Sequence, residues 1–158
     1  MIRNATVADV PVIHALIREL AEYEKAPHEV RSTEDQLREA LFGERPGVFA
    51  HVAESGEGEV VGYSMWFLTF STWRGVHGIY LEDLYVRPEV RGGGYGKALL
   101  VELARTCVER GYQRLEWSVL DWNEPAVRFY ESLGARSQDE WLRYRLTDGE
   151  LAELGAGR

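Results

Sequence analysis

Seven residues in the middle of the chain, Arg91-Gly92-Gly93-Gly94-Tyr95-Gly96-Lys97, constrain the fold most. A strand-like run precedes them and stops at Pro88. A helix follows, with Leu99, Leu100, Leu103, Ala104, Cys107 and Val108 at helical spacing and Gly111 as its stop. Glycine lets the backbone turn sharply and lets its amides approach a ligand with no Cβ in the way. Those amides, with the positive end of the helix, make an anion site. The alternative is a ligand-free turn that only caps the helix. The two common phosphate loops do not fit. GxxxxGK[ST] fails because position 91 is arginine and position 98 alanine, and GxGxxG fails because its last glycine would be Lys97 or Leu99. RxxGxG does fit, with Arg91, Gly94 and Gly96.

The rest of the chain reads as an α/β domain of order βααβββαβαβ. A short strand covers 2–6, and Thr6 with Asp9 and Pro11 starts a helix running to about Glu24. Thr33 with Gln36 starts a second helix, which ends at the glycines 43–47. Strands over 48–54, 59–70 and 76–86, joined by short turns, imply an antiparallel meander. After the glycine-loop helix come a strand over 114–120, a helix from Pro125 to Gly134, a strand near 141–146 and a helix near 148–154. The glycine loop thus sits in a βαβ crossover of a mixed, mostly antiparallel sheet flanked by helices.

The length of 158 residues suits a single domain over 1–158, and 45% hydrophobic with 28% charged residues excludes a disordered chain. With 18 basic against 26 acidic side chains the net charge is −8, which disfavours nucleic acid and favours a small cationic partner. No apolar run is long enough for a membrane span and no signal-peptide core opens the chain. The lone Cys107 fits a reducing cytoplasm and, on its apolar stripe, a core position. His14, His28, His51 and His77 show no metal-ligand spacing, so no metal is expected.

Between Ile79 and Val86 the chain is apolar at both parities except for the neighbours Glu82 and Asp83. Adjacent strand residues point to opposite faces, so both carboxylates serve one pocket only if a bulge re-aims one of them. Ionised groups there are costly unless paired or reached by water and ligand.

The RxxGxG loop resembles the pyrophosphate loop of the GCN5-related N-acetyltransferase (GNAT) superfamily, which binds acetyl-CoA. The stretch Trp122-Asn123-Glu124-Pro125-Ala126, continued by Phe129-Tyr130 and Leu133-Gly134-Ala135, is similar to that superfamily's second CoA-binding region. The resemblance implies that residues 91–97 hold the diphosphate, that Asn123 bonds the pantetheine arm, and that Tyr130 stands near the sulfur. A phenol titrates near 10 and is protonated at neutral pH, which suits Tyr130 to protonate the leaving thiolate. Backbone amides of Leu84, Tyr85 and Val86 would polarise the thioester carbonyl.

Most of the chain further resembles the diamine (spermidine/spermine) acetyltransferase branch, through Ile2-Arg3-Asn4-Ala5-Thr6, residues 20–25, Ser71-Thr72-Trp73-Arg74-Gly75, Tyr80-Leu81-Glu82-Asp83 and Trp141. That likeness implies an acceptor-amine site of Tyr23, Glu24, Trp73, Glu82 and Asp83. Glu82 would take the amine's proton through water, while Glu24 and Asp83 hold its distal positive charge. Polyamine-specific members carry an acidic residue and a proline before the tryptophan. Ser71-Thr72 here looks instead like the thialysine-acetylating relative, which implies a lysine-like amino acid or short diamine as acceptor. A homodimer is implied by the resemblance alone. The rival readings are a GNAT enzyme for another amine (a peptide N-terminus, an aminoglycoside or an antimetabolite) and a non-catalytic acyl-CoA-binding regulator.

Overall fold

The computed structural model describes residues 1–157, which divide into a unit ending at Leu120 and a unit beginning at Asp121. In the first unit, β1 (Ile2–Asn4), β2 (Phe49–Glu54), β3 (Val60–Ser71), β4 (Val76–Val86) and β5 (Leu115–Trp117) form one sheet in chain order. β1 to β4 pair antiparallel, as their short connections require. β5 lies parallel to β4, and the crossover between them carries α3 (Tyr95–Arg110).

Alternation along the strands divides the core in two. Ala50, Val52, Tyr63, Met65 and Tyr85 face α1 (Val10–Tyr23) and α2 (Glu34–Phe42), which contribute Val10, Ile13, Leu16, Leu37 and Leu41. Ala53, Val61 and Val86 face the other way, against Leu99 of α3. Cys107 is buried in α3, as its place on the apolar stripe implies.

The helix starts follow the sequence with one adjustment. Thr33 Oγ1 accepts from the Gln36 amide and Gln36 Oε1 accepts from the Thr33 amide, closing a reciprocal cap on α2. Asp9 likewise accepts from the Thr6 amide at 2.7 Å, but a 3-10 turn over Val7–Asp9 intervenes and α1 starts at Val10. Asp9 also takes a two-pronged bond from Arg3, at 2.7 and 2.9 Å, which ties β1 to the start of α1. That guanidinium holds the Asp9 carboxyl below its ordinary value, with the Thr6 amide acting the same way against the cost of burial.

In the second unit, α4 (Glu124–Ser132) begins at Asn123, whose Oδ1 accepts from the Ala126 amide at 3.4 Å, and stops before Gly134 at φ +93°. α5 (Asp148–Gly155) matches the expected last helix. The expected strand near 141–146 is not formed, and the strand expected over 114–120 is only Leu115–Trp117. A strand exists where a neighbouring backbone accepts its hydrogen bonds. Residues 141–146 have no paired strand among the described residues, so their β-rich composition does not by itself make one.

Candidate active site

The register of β4 against β3 skips one residue. Leu81 lies opposite Trp66 and Asp83 opposite Met65, so Glu82 is an extra residue with no partner across the pair. Trp66 belongs to the α3 face, where the Arg110 guanidinium of α3 lies 5.8 Å from its ring centroid, while Met65 packs with α1 and α2. Leu81 therefore points toward α3 and Asp83 toward α1. Glu82, alternating from Leu81, shares Asp83's face. This is the bulge through which adjacent carboxylates can share one face.

Tyr63 is fully buried on that face and donates its hydroxyl to Asp83 Oδ2 at 2.8 Å. Glu24 follows the C-terminal end of α1 and lies close enough for the Asp83 charge to act on it. Burial pushes the Asp83 carboxyl above its ordinary value; the Tyr63 bond opposes this and the Glu82 charge adds to it. Glu24 is raised by burial and then by Asp83. The Tyr63 phenol is raised well above its ordinary value, first by burial, then by Asp83, with Glu24 and Glu82 adding. The charges acting on Asp83 and Glu24 thus share their own sign. A half-buried cluster of this kind favours either protons or a bound cation.

Beyond Leu81, β4 loses its neighbour on one side. β5 pairs only with Ile79, Tyr80 and Leu81, so from Glu82 to Val86 that edge of β4 has no paired strand among the described residues. Alternate backbone groups of Leu84, Tyr85 and Val86 are thereby left unpaired on the β5 side of the sheet, where they can serve as donors or acceptors to a ligand.

The glycine loop closes this end of the sheet. Gly92 and Gly94 have φ of +88° and +84°, a conformation that side chains rarely adopt, and Gly94 caps α3. Gly96 is different. It lies in the first turn of α3 without a positive φ, and a Cβ built there meets only Val86 Cγ2, at 4.0 Å. Neither conformation nor packing within the protein explains that glycine, and its missing Cβ leaves the first-turn amides open to approach. Arg91 donates Nε to the Val86 carbonyl at 2.9 Å, and its guanidinium lies 5.1 Å from the Tyr23 ring centroid and 5.5 Å from that of Tyr85. Burial raises the Tyr85 phenol, and it donates to Glu19 at 3.4 Å.

Glu24, Glu82 and Asp83 are thus brought together, with Tyr23, Tyr85 and Arg91 grouped at the loop. Trp73 is not among them. It sits in the β3–β4 turn, 86% exposed, and the residues of β4 from Val76 to Asp83 separate it from the carboxylates by roughly 20 Å at strand rise. Asn123 and Tyr130 belong to the second unit, where Asn123 is buried at the start of α4 and Tyr130 is half-buried within it, its ring 5.5 Å from that of Phe129. Tyr63 escaped the sequence reading because it looked like one more aromatic of a buried strand. The signal was its register, since it is two residues from the partner of Asp83 on the same face.

The model of the acetyltransferase (GNAT) family matches residues 13–135. The chain belongs to this family, as an amine N-acetyltransferase. It is 42% identical to the thialysine N-epsilon-acetyltransferase of Bos taurus, over 98% of this chain and 96% of that protein. It is 32% identical to an L-ornithine N5-acetyltransferase of Arabidopsis thaliana, covering 97% of this chain and 86% of that one. Among solved structures, an integron cassette protein from V. cholerae superposes with a TM-score of 0.82 at 26% identity, covering 98% of this chain and 96% of that chain. No helix among the described residues is long and apolar enough to cross a membrane.

Proposed function

We propose that the protein transfers an acetyl group from acetyl-CoA directly to a primary amine of a lysine-like amino acid or short diamine. The observation that carries the acceptor class is the β4 bulge, which gathers Glu82 and Asp83 on the face that also receives Glu24. An acceptor with a second positive charge neutralises a cluster whose members otherwise repel one another. Relatives that acetylate thialysine and ornithine, both amino acids with a second amine, support the same class.

Residues 91–97 would hold the diphosphate through their amides and Asn123 would bond the pantetheine arm. Acetyl-CoA supplies the acyl group already activated as a thioester. The amides of Leu84, Tyr85 and Val86 stabilise the carbonyl oxygen as charge builds on it. Glu82 takes the proton that the amine must lose before its nitrogen attacks, through water. Tyr130 protonates the thiolate as the carbon–sulfur bond breaks, a role supported by its motif. Glu24 and Asp83 hold the distal ammonium, with Tyr23 beside them, and Trp73 stays outside this site. The two units would act as one catalytic domain; the family match runs across the boundary between them. The resemblance also supports a homodimer, which sedimentation tests, and the lone Cys107 supports a reducing, cytoplasmic setting.

A panel of thialysine, lysine, ornithine, putrescine and spermidine with acetyl-CoA, read by release of free thiol, tests the proposal. Turnover with the lysine-like amines is expected. Turnover confined to aminoglycosides or peptide N-termini would replace the acceptor class, and CoA binding without thiol release would mark a non-catalytic regulator.

A further inference from the structure

Asp83 is the most enclosed of the site carboxylates, and its hydrogen bond comes from the one fully buried tyrosine in the core. Nothing in the reaction uses Tyr63 directly. A phenol is a costly occupant for a fully apolar position, since phenylalanine fills the same volume without burying a polar group. Here the hydroxyl is satisfied by a carboxylate that a bulge has turned toward it. We propose that Tyr63 is a positioning residue for acceptor specificity: its hydroxyl fixes the Asp83 carboxylate in place, so that the distal ammonium of a dicationic acceptor meets it there. The inference rests on the reading of Asp83 as a contact of the amine.

The groups facing Asp83 act in two directions. Burial first, and the Glu82 charge on its own strand, push a proton onto it, while the Tyr63 bond from β3 opposes them; Glu24 after α1 lies within reach of the Asp83 charge. Arg91 is held at the loop by Val86, Tyr23 and Tyr85, and Tyr85 on β4 is turned to Glu19. With the hydroxyl removed, Asp83 is left among like charges in a half-buried place and takes a proton more readily.

The test is Tyr63→Phe, compared with Asp83→Asn and the double variant. For lysine-like amines, Tyr63→Phe should raise KM about tenfold at neutral pH with kcat nearly unchanged and KM for acetyl-CoA unmoved. The acid limb of kcat/KM should shift up by about one pH unit, the same factor of ten. The penalty should vanish for a simple alkylamine with no second charge, and the double variant should be no worse than Asp83→Asn alone. If Asp83→Asn leaves the amine KM unchanged, the amine-contact reading itself falls. If Asp83→Asn weakens amine binding while Tyr63→Phe changes neither KM nor the acid limb, the role of Tyr63 alone is overturned. Should Tyr63→Phe fail to fold, 13C-tyrosine NMR of the wild type decides: the Tyr63 ring-carbon signal must move as lysine binds, and a signal unmoved at saturation contradicts the inference.

Discussion

Arg91 donates its Nε to the carbonyl oxygen of Val86 at 2.9 Å, so the side chain that opens the glycine loop also ties the loop to the end of β4. The start of the glycine loop is thereby tied to the end of β4, with the guanidinium over the rings of Tyr23 and Tyr85. Arg91→Ala removes a charged hydrogen bond and two ring contacts, together about 2 kcal/mol. KM for acetyl-CoA should rise roughly 10- to 30-fold with kcat reduced far less, as measured by steady-state kinetics at saturating amine.

Gly96→Ala separates folding from binding. The new methyl meets only Val86 Cγ2 at 4.0 Å, and alanine suits a helix better than glycine by about 1 kcal/mol. The variant should melt at the wild-type temperature or slightly above it, while affinity for CoA, read by calorimetry, drops about tenfold or more. Unchanged affinity would remove these amides from the CoA site.

Asp83 and Asp9 should respond to substitution with opposite signs. Asp83 is raised in the fold, so the protonated form is favoured there and stability falls as pH rises through its folded value. Asp83→Asn should raise the Tm of the free enzyme at pH 7 by a few degrees, roughly 0.5–1 kcal/mol, with the gain fading toward pH 4. Asp9 is lowered by Arg3, so its contribution is present above the ordinary carboxylate value and is lost as pH falls through the folded one. Asp9→Asn should lower Tm at pH 7, by about 1–2 kcal/mol once screening at the part-exposed Arg3 is allowed for, and the deficit should shrink in acid. Calorimetric melts at pH 7 and pH 4 check both.

Proton handling is tested by two further variants. Glu82→Gln should move the kcat/KM profile for the amine toward alkaline pH, where the amine loses its proton unaided. Tyr130→Phe should lower kcat about 10- to 100-fold while acetyl-CoA affinity holds, because a proton donor is lost and little volume changes. An unmoved profile for the first, or an unchanged kcat for the second, would withdraw that residue from the chemistry.

Much of this was legible in the sequence because it rests on local rules. Glycines between a strand and a helix define the loop, and two adjacent carboxylates in an otherwise apolar strand share one face only through a bulge, which the Leu81/Asp83 register contains. What was illegible depends on tertiary partners. Residues 141–146 have strand composition but no paired strand among the described residues, and β5 is only three residues long. Trp73 matched a motif, yet a motif carries no distance along a hairpin. Tyr63 looked like core because its hydroxyl gains meaning only from the cross-strand register that puts it beside Asp83.

The most direct measurement is a crystal structure of the protein with CoA and lysine bound together. Diphosphate oxygens should lie on the amides of residues 92–97 and the distal ammonium between Glu24 and Asp83. A diphosphate elsewhere, or an amine bound away from those carboxylates, would contradict the account.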